Sequence, residues 1–83
     1  MRTFARPIDV IVNSNFNGEL TPIRFRVSKK DGSQTIVNID KVISRKVERI
    51  AGCPTILFTC EAEGKPCELK YDKETCKWML FKA

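Results

Sequence analysis

The chain has 83 residues, 42% of them hydrophobic and 30% charged, which fits one small domain with a single core. It contains no histidine, which excludes an imidazole base and any zinc site with a histidine ligand. No apolar stretch reaches the roughly 20 residues of a membrane span and no export signal is recognisable, so we expect a cytoplasmic protein without membrane contact. The net charge of +5 suits an anionic partner such as nucleic acid, but it is also ordinary for a solvated surface.

Alternating apolar and polar side chains over residues 7–14 and 22–28 predict two antiparallel strands. Asn17-Gly18 between them is a strong signal for a two-residue hairpin turn, because both residues tolerate a positive φ. The polar face then sets Asp9 opposite Arg26. On the apolar face this turn pairs Val12 with Ile23, Val10 with Phe25 and Ile8 with Val27.

The next connection contains Lys30-Asp31-Gly32. A two-residue turn there would mix the polar and apolar faces, whereas a three-residue bulged loop sets Phe25 opposite Val37. We therefore predict the bulged loop, followed by a strand that ends near Asp40.

Residues 44–51 change period and predict a short helix. Ile43, Val47 and Ile50 would share one helical face, and Gly52 suits the C-terminal end. The β-branched side chains of this segment disfavour a helix, so the prediction has a counterargument in the same residues.

Three further strands are predicted over residues 55–63, 66–72 and 75–82, joined by a turn at Gly64-Lys65 and a loop over residues 72–75. Three inward rows result: Phe58-Tyr71-Cys76, Cys60-Leu69-Trp78 and Ala62-Cys67-Leu80. The predicted fold is mostly β, a single domain over residues 1–83. It is a small antiparallel meander barrel or strongly curled sheet of about six strands with one short helix.

The four cysteines, Cys53, Cys60, Cys67 and Cys76, lack the close C-x2-C pairs of structural zinc sites. A disulfide framework needs an exported context. The predicted register makes Cys60 and Cys67 diagonal neighbours about 7–8 Å apart, too far for an unstrained disulfide. We therefore predict that Cys60, Cys67 and Cys76 are core residues, with no metal and no cofactor. Cys53, in a loop, is the one candidate for an exposed reactive thiol.

The outer face carries the candidate binding residues. Candidate phosphate contacts are Arg24, Arg26, Lys70 and Lys77, of which the two lysines are predicted to lie opposite each other. Met79 and Phe81 also point outward, where either the helix covers them or they form a patch for a partner or a second copy. Phe16, beside the predicted turn, is either a loop anchor or a residue on which a base stacks.

Catalytic parts are absent from the pattern. The acidic residues of the last strands lie on an exposed strand pair and should titrate normally, and no serine or threonine has an imidazole base. We expect no enzyme activity.

An ordered series of residues resembles a small bacterial domain of unknown function that occurs beside, or fused to, Y-family (translesion) DNA polymerases. The chain is also similar to short uncharacterised proteins of anaerobic Gram-positive bacteria. The resemblance covers residues 22–82 and departs from the family pattern at Lys46-Val47-Glu48, where aromatic residues are expected. It rests on Pro22-x-x-Phe25, Gly32, Val37-x-x-Asp40-x-Val42-Ile43-Ser44-Arg45, Leu57-Phe58-x-x-Glu61, Glu68-Leu69-x-Tyr71-Asp72 and Lys77-Trp78-x-Leu80-Phe81-Lys82.

The resemblance implies an accessory role near DNA damage tolerance and carries over no catalytic residue. The leading hypothesis is a non-catalytic binding module that contacts DNA phosphates, with DNA or a Y-family polymerase as its partner. The alternative is a protein–protein or homodimeric module of unknown partner without a nucleic-acid role.

Overall fold

Six antiparallel strands in meander order form a closed barrel in the computed structural model, which describes residues 3–82 and the side chains of residues 6–81. Each strand pairs with the next, and β1 closes the barrel by pairing with β6. This confirms the predicted six-stranded meander barrel. The strands are β1 (Thr3–Ser14), β2 (Leu20–Ser28), β3 (Gln34–Ile50), β4 (Cys53–Ala62), β5 (Lys65–Asp72) and β6 (Lys77–Lys82).

The core is built on the inward-facing residues of β4 and β5. Phe58, Cys60 and Leu69 are 1%, 0% and 0% exposed, because side chains alternate between the two faces of a strand and these share the inner one. The ring of Trp78 on β6 lies 5.4 Å from that of Phe58. Burial of these large side chains is the main stabilising contribution that a barrel of this size has.

The first hairpin keeps the predicted register only in the half that is farther from the β1–β2 loop. Val10 pairs with Phe25 and Asp9 with Arg26, as predicted. Closer to the loop, a bulge between Ile11 and Val12 shifts the pairing by one residue.

The predicted pairing of Val12 with Ile23 is wrong: Val12 pairs with Pro22, and Ile23 is 43% exposed. The cause is a longer connection over residues 15–19 in place of the two-residue turn. The Asn15 side-chain oxygen accepts hydrogen bonds from the backbone N–H groups of Asn17 and Glu19, both at 3.0 Å, which stabilises the wider loop.

The second hairpin has the predicted three-residue bulged loop. Phe25 pairs with Val37, and the Lys29 N–H donates to the Ser33 carbonyl at 2.7 Å. Gly32 has a φ of 88°, the left-handed conformation that this loop requires and that glycine adopts without steric cost.

The helix predicted over residues 44–51 is wrong, and the described part of the chain contains no helix. β3 continues through this segment to Ile50, and from Ile39 onward it pairs with β4. The β-branched residues favour a strand, and Gly52, at φ 83°, completes a two-residue turn with Ala51 rather than ending a helix. The counterargument in the sequence was therefore the correct reading.

Ala51 has a φ of 51°, a conformation in which alanine is strained and asparagine is tolerated. Ala51→Asn, which makes an Asn-Gly turn, should therefore raise the free energy of unfolding by about 0.5–1 kcal/mol. A urea titration followed by circular dichroism measures the change. A decrease of stability, which the lower helix propensity of asparagine would cause in a helix, would contradict the hairpin.

In the last three strands the predicted faces are correct except at Cys76, but the pairings on the inner face are each two residues off. The turn is Glu63-Gly64 rather than Gly64-Lys65, since Ala62 pairs with Lys65. A shift of two residues preserves the face of every side chain. The β4–β5 pairs are consequently Phe58 with Leu69, Ile56 with Tyr71 and Cys60 with Cys67.

The predicted position of Cys76 in the core is wrong. Asp72 pairs with Lys77, so Cys76 belongs to the loop, where it is exposed and has a φ of 60°. The loop is stabilised by the Cys76 N–H donating to the Asp72 carbonyl at 2.8 Å. Tyr71 therefore pairs with Trp78 instead.

Candidate nucleic-acid interface

The outer surface of β1, β2 and β3 has both polar and apolar side chains, and we call it the β1–β3 face. Paired residues of neighbouring strands point to the same side of a sheet. Two rows result, one of Ile11, Arg24 and Asn38 and the other of Asp9, Arg26 and Ile36.

Arg24 and Arg26 point outward because they alternate with Phe25 and Val27, which are 4% and 8% exposed in the core. Arg26 Nη2 donates to Asp9 Oδ2 at 2.6 Å. Within the described residues Arg24 makes no ion pair or side-chain hydrogen bond, so its guanidinium is available to a ligand. Of the two predicted arginines, Arg26 thus forms an ion pair with Asp9, and Arg24, on the same strand, forms none within the described residues.

A shallow groove of about 280 Å³ runs over the β1–β3 face. Ile11 and Ile36, 54% and 57% exposed, lie on opposite sides of the two arginines and line this groove. Apolar side chains beside guanidinium groups suit a ligand that presents both flat apolar surface and negative charge.

Phe16 lies in the loop between β1 and β2 and is 97% exposed. It therefore contacts almost nothing within the described chain, and the loop-anchor alternative is wrong. Asn15 holds the loop through the two hydrogen bonds described above and a third from its Nδ2 to Glu19 Oε1 at 2.9 Å. A fully exposed aromatic ring on a braced loop is available for stacking on a base.

Lys70 and Lys77 do not join the arginines. They lie on β5 and at the start of β6, and β5 is three strands away from β2 in the closed barrel. The predicted opposition of the two lysines is also wrong, because Lys70 pairs with Met79 and Lys77 with Asp72. Lys70 is thus on the wall opposite the arginines, whereas Lys77 precedes Trp78, the partner of Ile8 on β1, and lies at the border of the β1–β3 face.

Met79 and Phe81 are half-buried, and no helix exists in residues 3–82 to cover them. Met79 lies between Pro7 and Lys70 on the neighbouring strands, and the Lys70 ammonium lies 5.6 Å from the centre of the Phe81 ring. The two side chains therefore have intramolecular neighbours.

Two exposed apolar side chains that the sequence analysis did not predict lie on the second half of β3. Ile43 and Val47 are 55% and 62% exposed. Val47 pairs with Ile56 of β4 and Ile43 lies in a bulge of the same pairing. The described β2–β3 pairs stop at Asn38, so within the described residues no strand flanks this segment on its other side. The missed signal was the run of β-branched residues itself.

Cys60 and Cys67 are directly opposite each other, which corrects the predicted diagonal placement. Both are free thiols, and each is buried. The hydrogen bond to Cys67, together with burial, raises the pKa of the Cys60 thiol well above its ordinary value. The described residues contain no group of three side chains that could hold a metal ion.

The thiol pair predicts a pH dependence of stability. The unfolded chain releases the Cys60 proton near its ordinary pKa of roughly 8.5, whereas the folded chain retains it. The Cys60 contribution is therefore complete below that pH and lost above it, by up to about 1.4 kcal/mol per pH unit. The same hydrogen bond lowers the pKa of the Cys67 thiol, which offsets part of this loss near and below the ordinary pKa. Urea titrations at pH 8 to 10 should show this slope, and the Cys60→Ala/Cys67→Ala variant should lose it. An equal slope in both proteins would contradict the assignment.

No family model, no curated protein and no solved structure matches the chain. A helix able to cross a membrane is likewise absent from the described residues.

Proposed function

We propose that the protein is a non-catalytic module that binds single-stranded nucleic acid on the β1–β3 face. The observation that carries the proposal is the exposed Phe16 ring at one end of a hairpin whose outer side carries Arg24 and Arg26. Stacking of bases on an aromatic ring and pairing of phosphates with arginine are the two recurring elements of single-strand recognition.

A single strand fits this surface better than a duplex. The outward arginines lie two residues apart on one strand, roughly 7 Å by strand geometry, and form a short track rather than a wide basic surface. Bases that are not paired expose flat faces, which Phe16, Ile11 and Ile36 can contact. The net charge of +5 adds a general attraction for the polyanion.

The resemblance to domains beside Y-family polymerases makes DNA at a translesion polymerase the proposed setting. Arg24, Arg26, Ile36 and Asn38 of the β1–β3 face lie within residues 22–82, the part of the chain that carries the resemblance. Phe16 lies outside that part, so base stacking on it rests on its exposure alone.

Fluorescence anisotropy with a labelled 12-nucleotide strand tests the proposal. Two phosphate contacts predict that the logarithm of the affinity falls with the logarithm of salt concentration with a slope of about −1.4. Phe16→Ala should weaken binding by about 5-fold to 150-fold, the range for loss of one stacked base. A matched Ile43→Ala variant, also at an exposed apolar residue, should bind as the wild type.

Binding that is absent at 50 mM salt, or that is unchanged in Phe16→Ala, would contradict the proposal. Tighter binding of the corresponding duplex would contradict the preference for a single strand.

A second candidate function, pairing with another protein strand, is favoured by the free edge of β3. The described pairs of β2 with β3 stop at Asn38, while β3 continues to Ile50. In a two-residue hairpin alternate residues bond to the partner, so the backbone groups of Arg45, Val47 and Arg49 point away from β4. Such an edge can accept a strand from a partner or a second copy.

Sedimentation equilibrium distinguishes the homodimer form of this candidate. Pairing between two β3 edges predicts a concentration-dependent dimer that Val47→Pro removes, since proline lacks the N–H donor. A monomer at every concentration would exclude self-pairing.

A further inference from the structure

The barrel has an open cavity at one end, separate from the β1–β3 face. This end holds the β2–β3 loop and the Glu63-Gly64 turn. The cavity has a volume of about 440 Å³ and is lined by residues of all six strands. That volume lies within the usual range of small-molecule sites, about 300–1,000 Å³.

The wall of the cavity is apolar. Its main lining residues point into the barrel and form the end of the core that the cavity reaches: Phe25, Val27, Val37, Ala62, Cys67 and Leu80. An aliphatic chain inserted there would replace water against carbon, which is favourable for each methylene group buried.

The rim of the cavity is cationic. Arg6 from β1, Lys29 from the β2–β3 loop and Lys65 at the start of β5 all line it. Among the described residues Glu63 is the one carboxylate of the lining, and it accepts a hydrogen bond from the Asn38 N–H at 3.4 Å. Three cations against one anion favour a negatively charged group at the mouth.

We propose that this cavity binds a small anionic amphiphile, a molecule with an aliphatic chain and one carboxylate or comparable acidic head group. The chain occupies the apolar interior, and the head group contacts Lys29 and Lys65 at the rim. Neither residue belongs to the β1–β3 face, so the site is independent of nucleic-acid binding and can fail or succeed without it.

Isothermal titration calorimetry with decanoate, kept below its micelle concentration, tests the proposal. Shortening the probe to octanoate should weaken binding by roughly fourfold per methylene removed. Decyltrimethylammonium, with the same chain and the opposite charge, should bind at least about tenfold more weakly than decanoate, since it meets cations at the rim.

Two charge variants locate the site. Lys29→Gln/Lys65→Gln should raise the dissociation constant for decanoate by about tenfold or more, as expected for lost hydrogen bonds to a charged group. Lys70→Gln/Lys77→Gln removes the same net charge from another part of the barrel and should change it less than twofold. Equal weakening in both variants, equal binding of the cationic probe or no binding of decanoate would overturn the proposal.

The unmodified protein offers a second readout. Cys67 lines the cavity, whereas Cys76 is exposed in the β5–β6 loop. Decanoate should slow alkylation of Cys67 several-fold, measured by peptide mass spectrometry, and leave that of Cys76 unchanged. Unaltered alkylation of Cys67 at saturating decanoate would overturn the assignment to the cavity.

Discussion

Phe58→Ala is expected to lower the free energy of unfolding by about 3–5 kcal/mol, the usual cost of removing a buried phenylalanine ring. Phe58 is 1% exposed, pairs with Leu69 across β4 and β5, and contacts the ring of Trp78 at 5.4 Å between centroids. A domain of this length has roughly 4–12 kcal/mol of total stability. The substitution should therefore remove at least about a quarter of that stability.

Urea denaturation followed by far-ultraviolet circular dichroism measures this loss. Phe16→Ala is the matched control, since it removes the same ring from a position that is 97% exposed, and it should change stability by less than about 0.5 kcal/mol. A loss below about 1 kcal/mol in Phe58→Ala, or similar losses in both variants, would mean that the core lies elsewhere.

Arg24→Gln/Arg26→Gln is expected to weaken binding of a single strand by about 100-fold or more at low salt. Each lost hydrogen bond between charged groups contributes about 1.5–3 kcal/mol. The salt slope should also fall by about 1.4, because two phosphate contacts are lost. Glutamine keeps most of the side-chain volume, and both positions face solvent, so the fold should persist.

Lys65→Gln/Lys70→Gln is the control for this prediction because it lowers the net charge by the same amount on β5, the strand opposite β2. It should weaken binding less than threefold. Equal losses in both double variants would show that binding follows total charge and not the β1–β3 face.

The barrel could be predicted from the sequence because its inner residues recur at every second position. Phe25, Phe58 and Leu69 are inward under any register that preserves alternation. The registers themselves were harder to predict. Glu63-Gly64 and Gly64-Lys65 both contain a glycine, and moving the turn by one residue shifts each cross-strand pair by two residues, which leaves every face unchanged.

The second half of β3 shows where local pattern is insufficient. Ile43, Val47 and Ile50 are spaced as on a helix, and Gly52 is as suitable after a helix as in a hairpin turn. Pairing with β4, which is a long-range interaction, decides between the two structures. The β-branched side chains were the local sign of that outcome.

The candidate site was predicted in part. The outward direction of Arg24 and Arg26 follows from alternation alone. The pairing of Arg26 with Asp9 was predicted from the two-residue turn, and it is retained because the bulge between Ile11 and Val12 offsets the longer loop. The separation of Lys70 from the arginines depends on barrel closure, which brings β1 against β6 and sets β5 opposite β2. Residue spacing contains no information on that closure.

Backbone amide chemical shifts, measured as an eight-nucleotide single strand is added at 50 mM salt, test most directly where nucleic acid binds. We predict shifts concentrated in residues 9–11, 15–19 and 24–26 and at Ile36 and Asn38. Shifts confined to β5 and β6, or an unchanged spectrum at millimolar nucleotide, would contradict the account.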